Sequence, residues 1–288
     1  MKFGLNLEEF KQAYKVGTNK LQEDEYLGDD GLPYCKKCKT PRFFSIDNGS
    51  WATWGLCECK RAEQEQKEKE EQARKRMEEF NERKKLSLLG ERYKNIMFKD
   101  ATLTKSNSKA YEKCKTYVDK SKEVYSNNIG LYIYGDNSSG KTFLTACMCN
   151  ELVWKGYRCV YTNFATILTE LLGKDVGSSV LLSRLQHFDF VFIDDLGKEF
   201  IGREYNPSSA KWAEGKLFEI LNTRYNAHKP TIFSSNYSIS ELASILGFDK
   251  GIVERINEMA TRVIKLEGDD FRSKVLKEKS ELAKQLGI

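Results

Sequence analysis

The run Ile129-Gly130-Leu131-Tyr132-Ile133-Tyr134-Gly135-Asp136-Asn137-Ser138-Ser139-Gly140-Lys141-Thr142 decides how this chain is read. An apolar run rich in β-formers ends in Gly-x-x-x-x-Gly-Lys-Thr, and residues 142–154 then carry a helical pattern. Strand, glycine-rich turn and helix in that order make a phosphate cradle. Gly135 and Gly140 let the backbone turn tightly and approach phosphate oxygens with no Cβ in the way. The N–H groups of Asp136, Asn137, Ser138 and Ser139, together with the helix N-terminus, then face the anion. Lys141 reaches the β- and γ-phosphates, and the Thr142 hydroxyl ligates Mg2+. The expected cofactors are therefore ATP and Mg2+.

Working outward, short apolar strands alternate with helical patterns. Strands are expected at 129–134, 159–162, 190–193, 231–234 and 263–266, with helices at 142–154, 165–172 and about 210–225. The fold class that follows is α/β, a parallel sheet covered by helices on both faces. Two strand ends carry further chemistry. Phe190-Val191-Phe192-Ile193 runs into Asp194-Asp195, which sets Asp194 beside the metal and Asp195 near the attacking water. The strand at 231–234 ends in Ser234-Ser235-Asn236 and should lie beside the phosphate loop. Its polar tip, Asn236, could orient the water or sense the γ-phosphate. A turn-forming Asn after a strand is the plain alternative.

The N-terminal part has a different composition. Cys35-Lys36-Lys37-Cys38 and Cys57-Glu58-Cys59 form two close pairs, a spacing that suits a four-cysteine Zn2+ site. Phe43-Phe44-Ser45-Ile46 and Trp51-Ala52-Thr53-Trp54 between them suggest a ribbon-like hairpin. With no open ligand position, such a metal is structural. Cys114, Cys147, Cys149 and Cys159 fall in or beside apolar runs and are expected in the core. His187 and His228 are expected at the surface or in packing. Residues 60–85 are almost all Lys, Arg, Glu and Gln, and Glu63/Lys67, Glu65/Lys69, Glu70/Arg74, Glu71/Lys75 and Glu79/Arg83 place acid four residues before base. That spacing supports an exposed helix. The expected domains are a zinc module at 1–60, a charged helical linker at 61–87 and an ATPase domain at 88–288.

The whole chain has 288 residues, 40% of them hydrophobic, and a net charge of +5. This permits contact with nucleic acid without requiring it. No apolar run approaches a membrane span and the first residues lack an apolar signal core, so a cytoplasmic protein is expected.

The ordered set Glu91-Arg92-Tyr93-Lys94-Asn95, the phosphate loop, Asp194-Asp195-Leu196-Gly197, Leu217 to Tyr225, Ser234-Ser235-Asn236, Glu254-Arg255-Ile256 and Leu266 to Arg272 resembles the AAA+ ATPases. The resemblance is to the DnaC/DnaI helicase-loader group and the related transposase-helper ATPases. It implies that Asn236 is the sensor asparagine and that Arg255 is an arginine finger entering the ATP site of a neighbouring subunit. Arg262 is the rival for that role, and Arg224 is placed at the subunit interface. It implies a homo-oligomer with ATP between subunits, a replicative DNA helicase held by the cysteine module, and single-stranded DNA as a further partner. DNA contacts would involve 164–185, with Lys174 and Arg184 as candidates.

Two features depart from the group. Many AAA+ proteins carry Glu where Asp195 stands, and few residues follow Arg272, leaving no room there for a full helical lid. Both suit slow, switch-like hydrolysis. The expected function is ATP-dependent helicase loading, from a chromosomal or a phage gene. The alternatives are a transposase helper, a nucleotide-switched DNA-binding adaptor without productive hydrolysis, and a small-metabolite kinase.

Overall fold

A computed structural model describes the chain except residues 1–4, 16–19, 47–50, 173–177, 199–206, 245–246, 268–269 and 287. It divides into two compact units, Met1–Glu78 and Glu79–Ile288.

The first unit holds β1 (Leu5–Asn6), α1 (Leu7–Lys15), β2 (Glu25–Leu27), β3 (Pro33–Cys35), β4 (Phe43–Ile46) and β5 (Trp51–Trp54). β4 and β5 form the expected antiparallel hairpin, with Phe43 opposite Trp54, and β1 adds to β5. α1 lays Phe10 and Tyr14 edge-on against Trp54, with ring centroids 5.8 and 5.4 Å away. Phe10, Tyr14 and Leu32 are the buried centre of this unit. So small a core supplies little folding energy by itself.

α2 (Glu58–Leu86) contains the boundary between the units and, among its described residues, buries none. Its first turn includes Cys59, so the second cysteine pair sits at the start of the charged helix. Glu63–Lys67, Glu71–Lys75 and Glu79–Arg83 pair as expected at 2.7–2.8 Å. Arg74 instead turns forward to Glu78 at 3.2 Å, and Glu70 accepts from Gln66 at 2.7 Å. Arg74 has an acid at both i−4 and i+4, and each such pair is worth only about 0.3–0.5 kcal/mol.

The second unit follows with α3 (Ser108–Asp119), α4 (Ser121–Ser126), β6 (Leu131–Tyr134), α5 (Lys141–Trp154), β7 (Cys159–Asn163), α6 (Phe164–Leu172) and α7 (Ser178–His187). It continues through β8 (Phe190–Leu196), α8 (Pro207–Asn226), β9 (Thr231–Ser235), α9 (Ile239–Ser244), α10 (Lys250–Met259), β10 (Arg262–Lys265) and α11 (Phe271–Gln285). The five strands from β6 onward form one parallel sheet in the order β10-β6-β9-β8-β7. Side chains alternate between two cores. Leu131, Ile133, Tyr161, Phe192 and Ile232 join the α3 and α5 side. Tyr132, Val160, Ile193 and Phe233 join the α6, α8 and α10 side. Both faces are covered, which is why the strands read as unbroken apolar runs. Cys114, Cys147, Cys149 and Cys159 are all fully buried in the first core.

Arg224 departs from expectation. The resemblance placed it at a subunit interface, whereas on α8 it is fully buried within this chain. Its Nη1 donates to the carbonyls of Leu185 (2.8 Å) and Phe188 (2.7 Å), and its Nη2 to those of Pro230 (2.8 Å) and Asp189 (3.4 Å). Its Nε donates to Thr231 Oγ1 at 3.3 Å. The planar fork of donors satisfies carbonyls left over where α7 ends and β9 begins. Burial pushes its pKa down to about 10, with Asp189 as the main opposing charge.

Candidate functional site

All five parallel strands finish at one edge of the sheet, and there the loop after β6 is built. β6 is flanked by β10 and β9, with Lys265 and Ser235 both opposite Tyr134. The Ser234-Ser235-Asn236 tip therefore lies beside the phosphate loop. Gly135 (φ 155°) and Gly140 (φ 97°) take conformations that favour glycine. A Cβ on Gly135 would fall 2.2 Å from the carbonyl oxygen of Leu266.

Lys141 opens α5 and is nearly buried, at 5% exposure. Its Nζ donates to the carbonyls of Gly135 and Asp136, both at 2.8 Å. Burial lowers its pKa, opposed first by the charge of Asp195 and then by that of Asp194. The loop is also tied to α11, since Phe271 N donates to Ser138 O at 3.2 Å.

A cavity of about 340 Å³ opens over this loop and reaches Asp195, Lys198, Asn236 and Phe271. Its lining also includes Arg92, Tyr93 and Tyr111. The segment holding Tyr93 is tied to α5, because Asn150 Nδ2 donates to the carbonyls of Tyr93 and Ile96 at 2.8 Å. Those wall residues were not expected at the site; Glu91-Arg92-Tyr93-Lys94-Asn95 stood out only as part of the resemblance. Two features fit a nucleotide here. Among the described residues, the Ser139 hydroxyl is buried with no hydrogen-bond partner, and the Lys141 ammonium donates to carbonyls of its own loop. A triphosphate would satisfy both.

The acidic pair sits on an irregularity. Ile193 pairs with Phe233, yet Leu196 pairs with Ser235. Two residues of β8, Asp194 and Asp195, thus oppose the single Ser234 of β9, as in a β-bulge. Asp195 takes a left-handed backbone (φ 55°), and its N–H donates to Ser234 Oγ at 3.2 Å. Ser234 Oγ in turn donates to Asp194 Oδ1. Asp195 faces the cavity, its carboxylate 2.6 Å from Lys198 Nζ. Asp194, expected beside the metal, is 7% exposed and is not among the residues that line the cavity. Beside it, the Tyr161 hydroxyl meets Thr145 Oγ1 at 2.8 Å, and burial and then Asp194 push the phenol's pKa well up.

Arg255, on α10, packs its guanidinium 3.9 Å from the Tyr225 ring and pairs with Glu258 at 2.8 Å. Arg262 is exposed opposite Leu131, at the end of the strand pair away from Gly135. Neither lines this chain's cavity. The proposed DNA segment carries α6 and α7; Arg184 is exposed on α7, while Lys174 lies outside the described residues. His187 and His228 are exposed.

In the first unit, Cys35, Cys38, Cys57 and Cys59 come together with their sulfurs all within 4.8 Å of one another. Sγ of Cys59 is 3.6 Å from Cys35 and 3.3 Å from Cys57. Four thiolates around one tetrahedral Zn2+ would sit about 3.8 Å apart, so the cluster fits the ion. Arg42 reinforces it. Its Nη1 lies 3.8 Å from Cys57 Sγ, and its Nε makes a buried ion pair with Glu25 at 2.8 Å. Among the described residues, no helix is long and apolar enough to cross a membrane.

Comparison with known proteins agrees with this architecture. The phage-like element PBSX protein XkdC of Bacillus subtilis (strain 168) is 26% identical over 268 residues, 88% of this chain and 90% of that protein. The replicative helicase loader DnaC of Escherichia coli (strain K12) is 25% identical over 171 residues, 58% of this chain and 64% of that protein. The crystal structure of the DnaC helicase loader has the same fold, with a TM-score of 0.51 at 24% identity, covering 62% of this chain and all of that one. The parallel sheet and its helices are those of the AAA+ fold. Residues 65–280 match the model of the IstB-like ATP binding proteins, and the chain belongs to that family.

Proposed function

We propose that this chain is an ATPase that loads a replicative DNA helicase onto single-stranded DNA. The observation that carries the reading is the convergence of the phosphate loop, Asp195 and Asn236 on one cavity. In this reading Gly135 to Thr142 cradle the phosphates of ATP. Lys141 exchanges the carbonyls of Gly135 and Asp136 for phosphate oxygens. Thr142 and Asp194 would hold Mg2+, which supplies charge neutralisation at the transferred phosphoryl group. Asp195 takes a proton from the attacking water, and Asn236 orients that water. Arg255 from a neighbouring copy, or Arg262 in its place, would complete the site in a homo-oligomer. The Lys198–Asp195 contact supports slow, switch-like turnover, because the base is engaged before any substrate arrives.

The cysteine module at 1–60 would hold Zn2+ and grip the helicase, with 61–87 as linker and 88–288 as motor. Similarity to the DnaC loader supports the helicase as partner, and similarity to XkdC supports a phage-borne setting. A second reading is favoured by the family itself: an IstB-like helper acting with a transposase. Capture from host lysate by the immobilised full-length chain, with ATP, separates the two. Recovery of a replicative helicase, diminished when zinc is chelated, is the expected result. Recovery of a transposase and no helicase would transfer the proposal to the second reading.

A further inference from the structure

We propose that Ser234 is a positioning residue that sets both members of the acidic pair, so that the tip of β9 and the metal- and water-facing carboxylates act as one unit. This rests on the nucleotide-site reading above.

In an unbroken strand, successive side chains point to opposite faces. Asp194 and Asp195 would then diverge, and only one carboxylate would serve the site. The extra residue between Ile193 and Leu196 breaks that alternation at the acidic pair, with Asp195 at the cavity and Asp194 buried against Ser234. It also leaves Asp195 with a left-handed backbone, which costs a non-glycine residue free energy that local hydrogen bonds must offset.

The group that holds it there is Ser234. Ser234 is 1% exposed, inside a strand whose residues are all buried. Its hydroxyl is both acceptor and donor: it takes the N–H of Asp195 at 3.2 Å and gives its own proton to Asp194 Oδ1. One oxygen thus fixes the strained backbone of one acid and the carboxylate rotamer of the other. A hydroxyl is suited to this, since it offers one donor and two acceptor lone pairs. An alanine would leave a buried carboxylate oxygen and a buried N–H without this partner.

A mechanical consequence follows. Asn236 is two residues beyond Ser234 on the same tip, and it faces the cavity. A shift of Asn236 on meeting a γ-phosphate is therefore passed through Ser234 to Asp194 and Asp195. On the far side, the buried Tyr161–Thr145 contact ties the region back to α5, where the phosphate-loop helix begins. Ser234 contacts no substrate in this arrangement; it acts through its neighbours.

Ser234→Ala and Ser234→Thr in the full-length chain test the proposal, with a fluorescent ATP analogue titrated in EDTA and in rising Mg2+, and with steady-state hydrolysis. Ser234→Ala should keep the Mg2+-free nucleotide affinity within about twofold, lose most of the tightening that Mg2+ brings, and lower kcat roughly tenfold with KM little changed. Ser234→Thr, which retains the hydroxyl, should recover most of both. Native Mg2+ dependence and kcat in Ser234→Ala would overturn the proposal. So would equal defects in the Ala and Thr variants, which would mark a packing role. If the native chain binds nucleotide but never hydrolyses it, the ATPase reading fails alone, and the Mg2+ dependence of binding still decides the role of Ser234.

Discussion

Lys198 holds Asp195: the ammonium lies 2.6 Å from Oδ2 of the carboxylate proposed to activate water. The pair is about one-third exposed on the acid and more on the lysine, so its intrinsic strength is small, on the order of 1 kcal/mol or less. It still occupies a lone pair that the water must use. Lys198→Ala should therefore raise basal ATP hydrolysis two- to fivefold, with nucleotide affinity changed by less than about twofold. A fall in rate instead would show that Lys198 serves the phosphates directly.

Arg224 is predicted to be a stability residue with no part in assembly. Its guanidinium is fully buried and donates to four carbonyls and one hydroxyl. Arg224→Ala strips several of these acceptors at once and should cost roughly 3 kcal/mol or more, lowering Tm by about 6 °C or more. Arg224→Lys, with fewer donors in a different geometry, should recover only part of this. A variant that kept native Tm while losing self-association would restore the interface role.

These cases mark where the sequence is legible. β6 to β9 were readable because burial on both faces makes each an apolar run, β10 because Val263 and Ile264 are β-formers although only Ile264 is buried, and the phosphate loop because its spacing is local. α3 could have been found: Ala110, Cys114, Tyr117 and Val118 recur on one face. The bulge at Asp194 and Asp195 could not, because a doubly buried strand has no polar alternation against which a slip would show. The interface placement of Arg224 came from the resemblance, and no local pattern speaks against it, because the carbonyls that claim the guanidinium come from segments up to 39 residues away. Lys198 stood in plain view beside the acidic pair, but its ion pair depends on the left-handed turn at Asp195.

Ser139 offers a test in which stability and binding move in opposite directions. Its hydroxyl is buried in the phosphate loop with no partner among the described residues. An unsatisfied buried polar atom costs free energy that a methyl group does not. Ser139→Ala should thus leave the nucleotide-free protein as stable or up to about 1 kcal/mol more stable, while weakening ATP-analogue binding severalfold. Calorimetric unfolding without ligand and a binding titration check the two halves. A destabilised apo protein with native affinity would remove this hydroxyl from the phosphate site.

The cysteine cluster should be lost in acid, and the sign follows from its thiols. Cys38 is pushed down to about 5, chiefly by the Thr40 hydroxyl 3.0 Å away, whereas Cys59 is pushed up to about 12, chiefly by its contact with Cys57. A depressed thiol adds stability above its ordinary value of 9.0, and that contribution disappears as pH falls through about 5. The raised thiol acts oppositely: its contribution is present below 9.0 and is lost as pH rises through about 12. Near neutrality Cys38 is the thiolate ready to receive a metal. Zinc release from the loaded full-length chain, followed with a colorimetric chelator, should therefore grow as pH is lowered from 7 toward 5. Thr40→Val removes the hydroxyl that favours the thiolate, so release should begin at a higher pH. Release in Thr40→Val at the same pH as in the native chain would mean that Cys38 does not control the competition between protons and metal.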